Sequence, residues 1–261
     1  MTTANTKAAT AASKKTVKKS SVKIPDLLNM LEAGVHFGHE RSKRNPKMEP
    51  YVFLRRNRIA IIDLEKTQAG LIEAANFVEH LMAKTTGEVL FVGTKRQARE
   101  IVRRHAESVK MPYVTKRWLG GTLTNFATIQ KSIEKLDELK KQQESSSIEK
   151  LTKKERAVMR KEIQRLEEVL EGMMNVRKLP AALFVVGAQD EKLAVREARR
   201  AGIPIVGIAD TNANPDLLDY AIPANDDAVR SLDMLVDVIA QAIAAGLKLR
   251  PKEPTPEAAA K

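Results

Sequence analysis

The chain reads as an α/β protein: a three-layer, doubly wound domain with a helical insertion. Three observations lead there. The short apolar runs EVLFVG (88–93), AALFVVG (181–187) and IPIVGIAD (203–210) have the length and β-branched content of strands buried on both faces. Between them, apolar residues recur at three- and four-residue intervals, as in helices that cover a parallel sheet. From 122 to 178 the pattern changes to long helical seams with charge on every other face.

The elements follow in order. Residues 1–23 are Lys-, Thr-, Ala- and Ser-rich without an acid, and lack the apolar surface to offset ordering; a disordered basic arm is expected. Ile24–Gly34 is a short helix, with Pro25 in its first turn, Leu27, Leu28 and Leu31 inward, and Gly34 as its stop. Residues 36–58 are irregular and basic, broken by Pro46 and Pro50. IAIID (59–63) is a strand, followed by a helix from about Glu65 to Lys84. After EVLFVG, a helix opens at Thr94 with Ala98, Ile101, Val102, His105 and Val109 inward, and PYVT (112–115) forms another strand. A helix over Glu191–Ala201, capped by Gly202, separates the last two apolar runs. The final helix starts near Asp226 and carries Val229, Leu232, Leu235, Val236, Ile239 and Ile243. Residues 248–261 are a Pro-rich tail, expected to be unfolded.

In the insertion, Phe126, Ile129, Ile133 and Leu136 form one seam, and Met159, Ile163, Leu166, Leu170 and Met173 a second. The polar stretch QQESSSIEKLT (142–152) joins them. A coiled-coil hairpin over 122–178, set into an α/β core of 24–121 and 179–247, is expected. The alternative is two ordinary helices lying on the sheet; the narrow seams favour the hairpin.

Composition narrows the function. A net charge of +12 over 261 residues favours a polyanionic partner, nucleic acid before membrane. The absence of cysteine excludes disulfides, thiolate catalysis and cysteine-ligated metals. No apolar run approaches the roughly 18 residues of a spanning helix, and no secretory h-region is present, so a soluble, cytoplasmic protein is expected. The charge is uneven. Seven Lys/Arg face two acids in 39–58, and eight face two in 94–117, whereas five face nine in 185–235. That asymmetry marks a docking face.

Four motifs invite chemistry. FVGTKRQA (91–98) ends a strand at Gly93 and offers Thr94 as a helix cap, with Lys95, Arg96 and Arg99 nearby to attract an anion. It lacks the glycines and spacing of a phosphate loop, so it reads equally as a capped helix with a cationic face. His36 and His39 in HFGH suggest a metal, with Asp210 as a third ligand, but two histidines without a fixed third partner are weak evidence and no metal is assigned. His80 and His105 fall on helix patterns as packing residues. Asp210 stands where doubly wound enzymes place ligand-binding acids, though DTNANPD also reads as a turn. Finally, TKRWLGGTLTNF (115–126) holds the only tryptophan beside two cations and a glycine pair. Trp118 either stacks a base or staples the Gly120–Gly121 turn that launches the insertion. No nucleophile–base pair or catalytic carboxylate pair can be assembled, so no catalytic residue and no cofactor are expected.

Six segments carry a resemblance: LEAGVHFGHERSKRNPKMEPYVF, IIDLEKT, LFVGTKRQA, MPYVTKRWLGGTLTNF, LPAALFVV and GIPIVGIADTNANPDLLDYAIPANDDAVRS. In this order they resemble the bacterial small-subunit ribosomal protein two family, from about Ile24 to Ala245. The resemblance implies a flavodoxin-like core with a protruding hairpin. It also implies a structural role in the small subunit, on ribosomal RNA near the head–body junction, where the family helps seat ribosomal protein one. Arg41, Lys43, Arg44, Asn45, Pro46 and Lys47 match a family segment near RNA. Lys116, Arg117, Trp118, Gly120, Gly121, Thr122, Asn125 and Phe126 match its signature loop. With the clusters above, the expected RNA-binding set is Arg41, Lys43, Arg44, Asn45, Lys47, Arg55, Arg56, Arg58, Lys95, Arg96, Arg99, Lys116, Arg117 and Trp118. The expected partners are small-subunit RNA and neighbouring ribosomal proteins, with no membrane and no small-molecule substrate. Two departures stand out: Arg44 where the family usually has Trp, and Gly187 where it often has Asp. The Lys-rich arm is also longer than the family needs, as an extra RNA-binding tail would be. The competing reading is a nucleotide-binding enzyme of doubly wound fold.

Overall fold

The computed structural model of the chain describes residues 22–144 and 152–250. Most of the expected basic arm, the centre of the polar connection and the end of the tail lie outside the described residues, as does the side chain of Arg41. Lys248 and Leu249, expected in the tail, instead complete the last helix.

Two sheets are present. The larger has five parallel strands, β4 (Val89–Val92), β5 (Tyr113–Val114), β6 (Ala182–Val186), β7 (Ile205–Ala209) and β8 (Tyr220–Pro223), in the order β5-β4-β6-β7-β8. Counted along the sheet this is the 2-1-3-4-5 order of flavodoxin-like folds, with the winding reversing between β4 and β6. Every residue of β4 and β6 is buried, which is why those segments read as continuous apolar runs.

Alternate residues of each strand feed two cores. Val89, Phe91, Phe184, Val206 and Ile208 face a layer built by α2 (Leu64–Lys84), α3 (Arg99–Ser108) and α7 (Val229–Leu249). Leu90, Val92, Leu183, Val185 and Ile205 face the other layer, with α6 (Lys192–Ala201) and the two insertion helices, α4 (Phe126–Glu144) and α5 (Lys153–Leu170). Ile129, Ile133, Leu136, Ile163, Leu170 and Met173 are buried in the same hydrophobic cluster as these strand residues, and α4 packs against α5. Lys135–Glu162 (2.7 Å) and Lys140–Glu167 (2.8 Å) join α4 to α5.

IAIID proves to be β3 (Ile59–Ile62) of a separate antiparallel sheet, ordered β1-β3-β2, with β1 (Phe37–Glu40) and β2 (Val52–Arg56). The segment expected to be irregular thus holds two strands and two 3₁₀ helices, Arg41–Lys43 and Pro46–Tyr51, the second capped by the Asn45 side chain. The first helix, α1, is shorter than expected, Leu27–Glu32, and Gly34 follows it at φ +75°. The last begins at Val229 rather than near Asp226.

Candidate nucleic-acid interface

The loop 115–126 is organised by a residue far away in sequence. Glu197, on the inner face of α6 and only 7% exposed, accepts the indole N–H of Trp118 at 3.1 Å. It also accepts the backbone N–H groups of Gly121 (2.8 Å), Leu123 (3.0 Å) and Thr124 (3.4 Å). One carboxylate therefore satisfies donors ahead of α4 that would otherwise be orphaned. Burial pushes its pKa up, but these hydrogen bonds outweigh burial and hold it below the usual glutamate range. Trp118 is 7% exposed and belongs to the buried cluster that also holds Leu123, Ile129 and Val195, so it offers an anchor and little open face for a base. Of the glycine pair only Gly121 is conformationally required, at φ +90°. Lys116 and Arg117, just before the anchor, are exposed.

The small sheet and its loops form a cationic strip. The Asn45 amide donates to the Thr211 carbonyl at 2.8 Å, tying the strip to the carboxyl end of β7. Glu49 pairs with both Arg44 (3.0 Å) and Arg55, and Lys47 pairs with Asp216. Arg56 leads into a two-residue hairpin turn made by Asn57 and Arg58, at φ +49° and +66°. Both arginines are exposed, as are Lys43 and Phe53, the latter at 70%.

At the reversal of winding, where such folds admit ligands, the chain fills the space with its own groups. The Thr94 N–H donates to the Glu191 carboxylate at 2.7 Å, so the anion expected at this strand end is internal. Thr94 does not cap a helix. Residues 95–98 make a turn, and α3 begins at Arg99, whose Nε donates to the Thr94 carbonyl at 2.9 Å. Lys95 is largely buried and bonds Asp226 (2.5 Å), Asp227 (2.8 Å) and Asp190 (3.4 Å). Burial works to lower its pKa, but the hydrogen bond and charge of Asp226 hold it above the ordinary lysine value. Its charge is thus committed inside the fold. Arg96, by contrast, is exposed.

His39 joins the same cluster. Its Nδ1 lies 3.0 Å from Asp210 and its Nε2 3.5 Å from Asp227, and the Asp210 hydrogen bond raises its pKa. Burial, then the charge of Asp210, pushes Asp226 up to about 6. His39, Asp210, Asp226 and Asp227 each bring a ligand-type atom within 4.8 Å of the others, a spacing that suits a divalent cation. Lys95, and His39 when it is protonated, offset these acids, and a metal would have to share them. Gly187 adds no fourth carboxylate; a Cβ there would lie 3.2 Å from Asp226 Oδ2. His36 stands outside the group, its ring against Phe37 and its pKa lowered by burial.

The expected RNA-binding residues therefore divide. Lys43, Arg44, Asn45, Lys47, Arg55, Arg56 and Arg58 share one strip, Lys116 and Arg117 stand on the Glu197-anchored loop, and Arg96 and Arg99 flank the filled switch point. Sequence reading does not find Glu197, Lys192 or Arg196. Glu197 left a signal: it lies on the stripe of α6 that holds Ala194, Val195 and Ala198. The family model for ribosomal protein S2 matches residues 30–246, a span that takes in both sheets, the anchored loop and the insertion helices. The chain belongs to the ribosomal protein S2 family and is of its structural, non-enzymatic kind, a constituent of the small ribosomal subunit.

Proposed function

We propose that the chain docks on small-subunit ribosomal RNA near the head–body junction through its basic loops, in the cytoplasm, and helps seat ribosomal protein one. The observation that carries this is the cationic strip. Arg55, Arg56 and Arg58 stand on the β2–β3 hairpin of a small sheet tied to the end of the large one, Lys43 stands in the turn after β1, and Lys116 and Arg117 add a second exposed pair. Cations on such fixed elements neutralise phosphates and release counterions, which gives salt-dependent attachment. The exposed Phe53 and Leu54 among these cations suit a neighbouring protein. A nucleotide-using reading finds less support, because the usual ligand crevice holds Glu191, Lys95 and Asp226.

The test is occupancy of small subunits by Arg55→Gln/Arg56→Gln/Arg58→Gln protein as salt rises. The proposal expects release at lower salt than wild type, with the salt slope smaller by about 2. Unchanged occupancy and slope would refute the role of the strip.

A further inference from the structure

Beside the strip lies a cleft of about 400 Å³ at the carboxyl ends of β6 and β7. Four cations line it, Lys43 and Arg44 from the strip and Lys192 and Arg196 from the first turns of α6, and its lining includes no carboxylate. Three of them enter no ion pair among the described residues; Arg44 shares Glu49 and keeps further donors. Such a concentration of positive charge in a concave site calls for an anion of more than one charge. Asn212 also lines the cleft, and its buried Oδ1 accepts no hydrogen bond. A phosphate diester offers only acceptors, whereas ribose adds a 2′-hydroxyl that can donate.

We propose that this cleft binds the sugar–phosphate backbone of small-subunit RNA: Lys192 and Arg196 hold phosphates from one side, Lys43 and Arg44 from the other, and a ribose hydroxyl donates to Asn212. The inference rests on the RNA-docking reading and extends it to two residues in the stretch 185–235, whose sequence charge is net acidic. That acidity is spent locally. Asp190, Asp226 and Asp227 meet Lys95, Asp210 meets His39, and Glu191 meets Thr94. The cations at the start of α6 are left facing the cleft.

The experiment uses full-length protein added to small subunits stripped of it, with occupancy read by sedimentation across a salt series. Lys192→Gln/Arg196→Gln is compared with wild type and with Lys84→Gln/Lys248→Gln, which removes the same charge at the amino-terminal edge of the sheet. Matching thermal unfolding of the three proteins verifies the fold. The expected result is that only the cleft variant loses affinity, on the order of tenfold or more at physiological salt, with its salt slope smaller by about 1.5. Equal slopes for the two variants would overturn the cleft assignment while leaving RNA docking intact. Wild-type protein that fails to occupy the subunits would instead overturn the docking reading itself. A third arm adds inorganic phosphate or ATP at a few millimolar to the free protein. No cleft-dependent thermal stabilisation is expected, and stabilisation lost in the cleft variant would assign the site to a small free anion and overturn the RNA proposal.

Discussion

Replacing Glu197 with alanine should loosen the loop that carries Lys116 and Arg117 and leads into the insertion. The carboxylate accepts three well-formed hydrogen bonds, from Trp118 Nε1, Gly121 N and Leu123 N, and longer contacts from Thr124 N and Oγ1. Each buried donor left without an acceptor costs about 1–3 kcal/mol. Three of them sum to roughly 3–9 kcal/mol, and water reaching the half-buried Gly121 end offsets part of that, so a loss of about 4 kcal/mol is expected. Glu197→Gln keeps one acceptor oxygen but turns an amide N–H₂ toward donors, and should lose about 2 kcal/mol. The assay is urea unfolding followed by tryptophan fluorescence, which reports this loop alone because Trp118 is the only tryptophan. The alanine variant should also show red-shifted emission before global unfolding. The pH dependence has a definite sign. A glutamate held below its ordinary value contributes stability above about pH 4.5 and loses it as pH falls through its folded pKa. Wild type should therefore lose this contribution in acid, whereas the alanine variant has none to lose. An alanine variant within about 1 kcal/mol of wild type, with unshifted emission, would refute the anchor.

Lys95→Met should cost about 3 kcal/mol at pH 7 by leaving Asp226 and Asp227 without their cation. Asp226, raised to about 6, favours the fold when protonated; that contribution is full below about pH 3.8 and lost as pH rises through 6. The deficit of Lys95→Met should therefore shrink between pH 7 and pH 4 in denaturant titrations; a deficit that grows would contradict the acid cage. Arg58→Gly should stabilise the isolated protein by up to about 1 kcal/mol, because Arg58 holds φ +66°. The same change should weaken attachment to small subunits. If calorimetry shows destabilisation, the turn is not strained as described.

The parallel sheet was legible because β4, β6 and β7 are buried on both faces and leave unbroken apolar runs. The helix α2 was legible from its period and from its clear ends, and the structure begins it at Leu64, one residue before the expected start. The small sheet was not legible, since Val52–Arg56 is exposed along most of its length and shows no alternation. Tyr220–Pro223 escaped for a different reason: it is short and ends in proline, yet pairs with β7. Thr94 looked like a helix cap because capping chemistry is local in sequence, whereas its real partner, Glu191, is 97 residues away. Lys192 and Arg196 were hidden by averaging. A window net charge counts every acid, including those that the fold turns inward against Lys95, His39 and backbone amides.

The most direct test of the account is the distribution of the full-length protein in a sucrose gradient of ribosomes, first intact and then separated into subunits by lowering magnesium. Membership of a structural small-subunit family predicts one copy per small subunit at moderate salt, none in the large-subunit peak, and release only as salt rises. Protein that stays at the top of the gradient under every condition would contradict it.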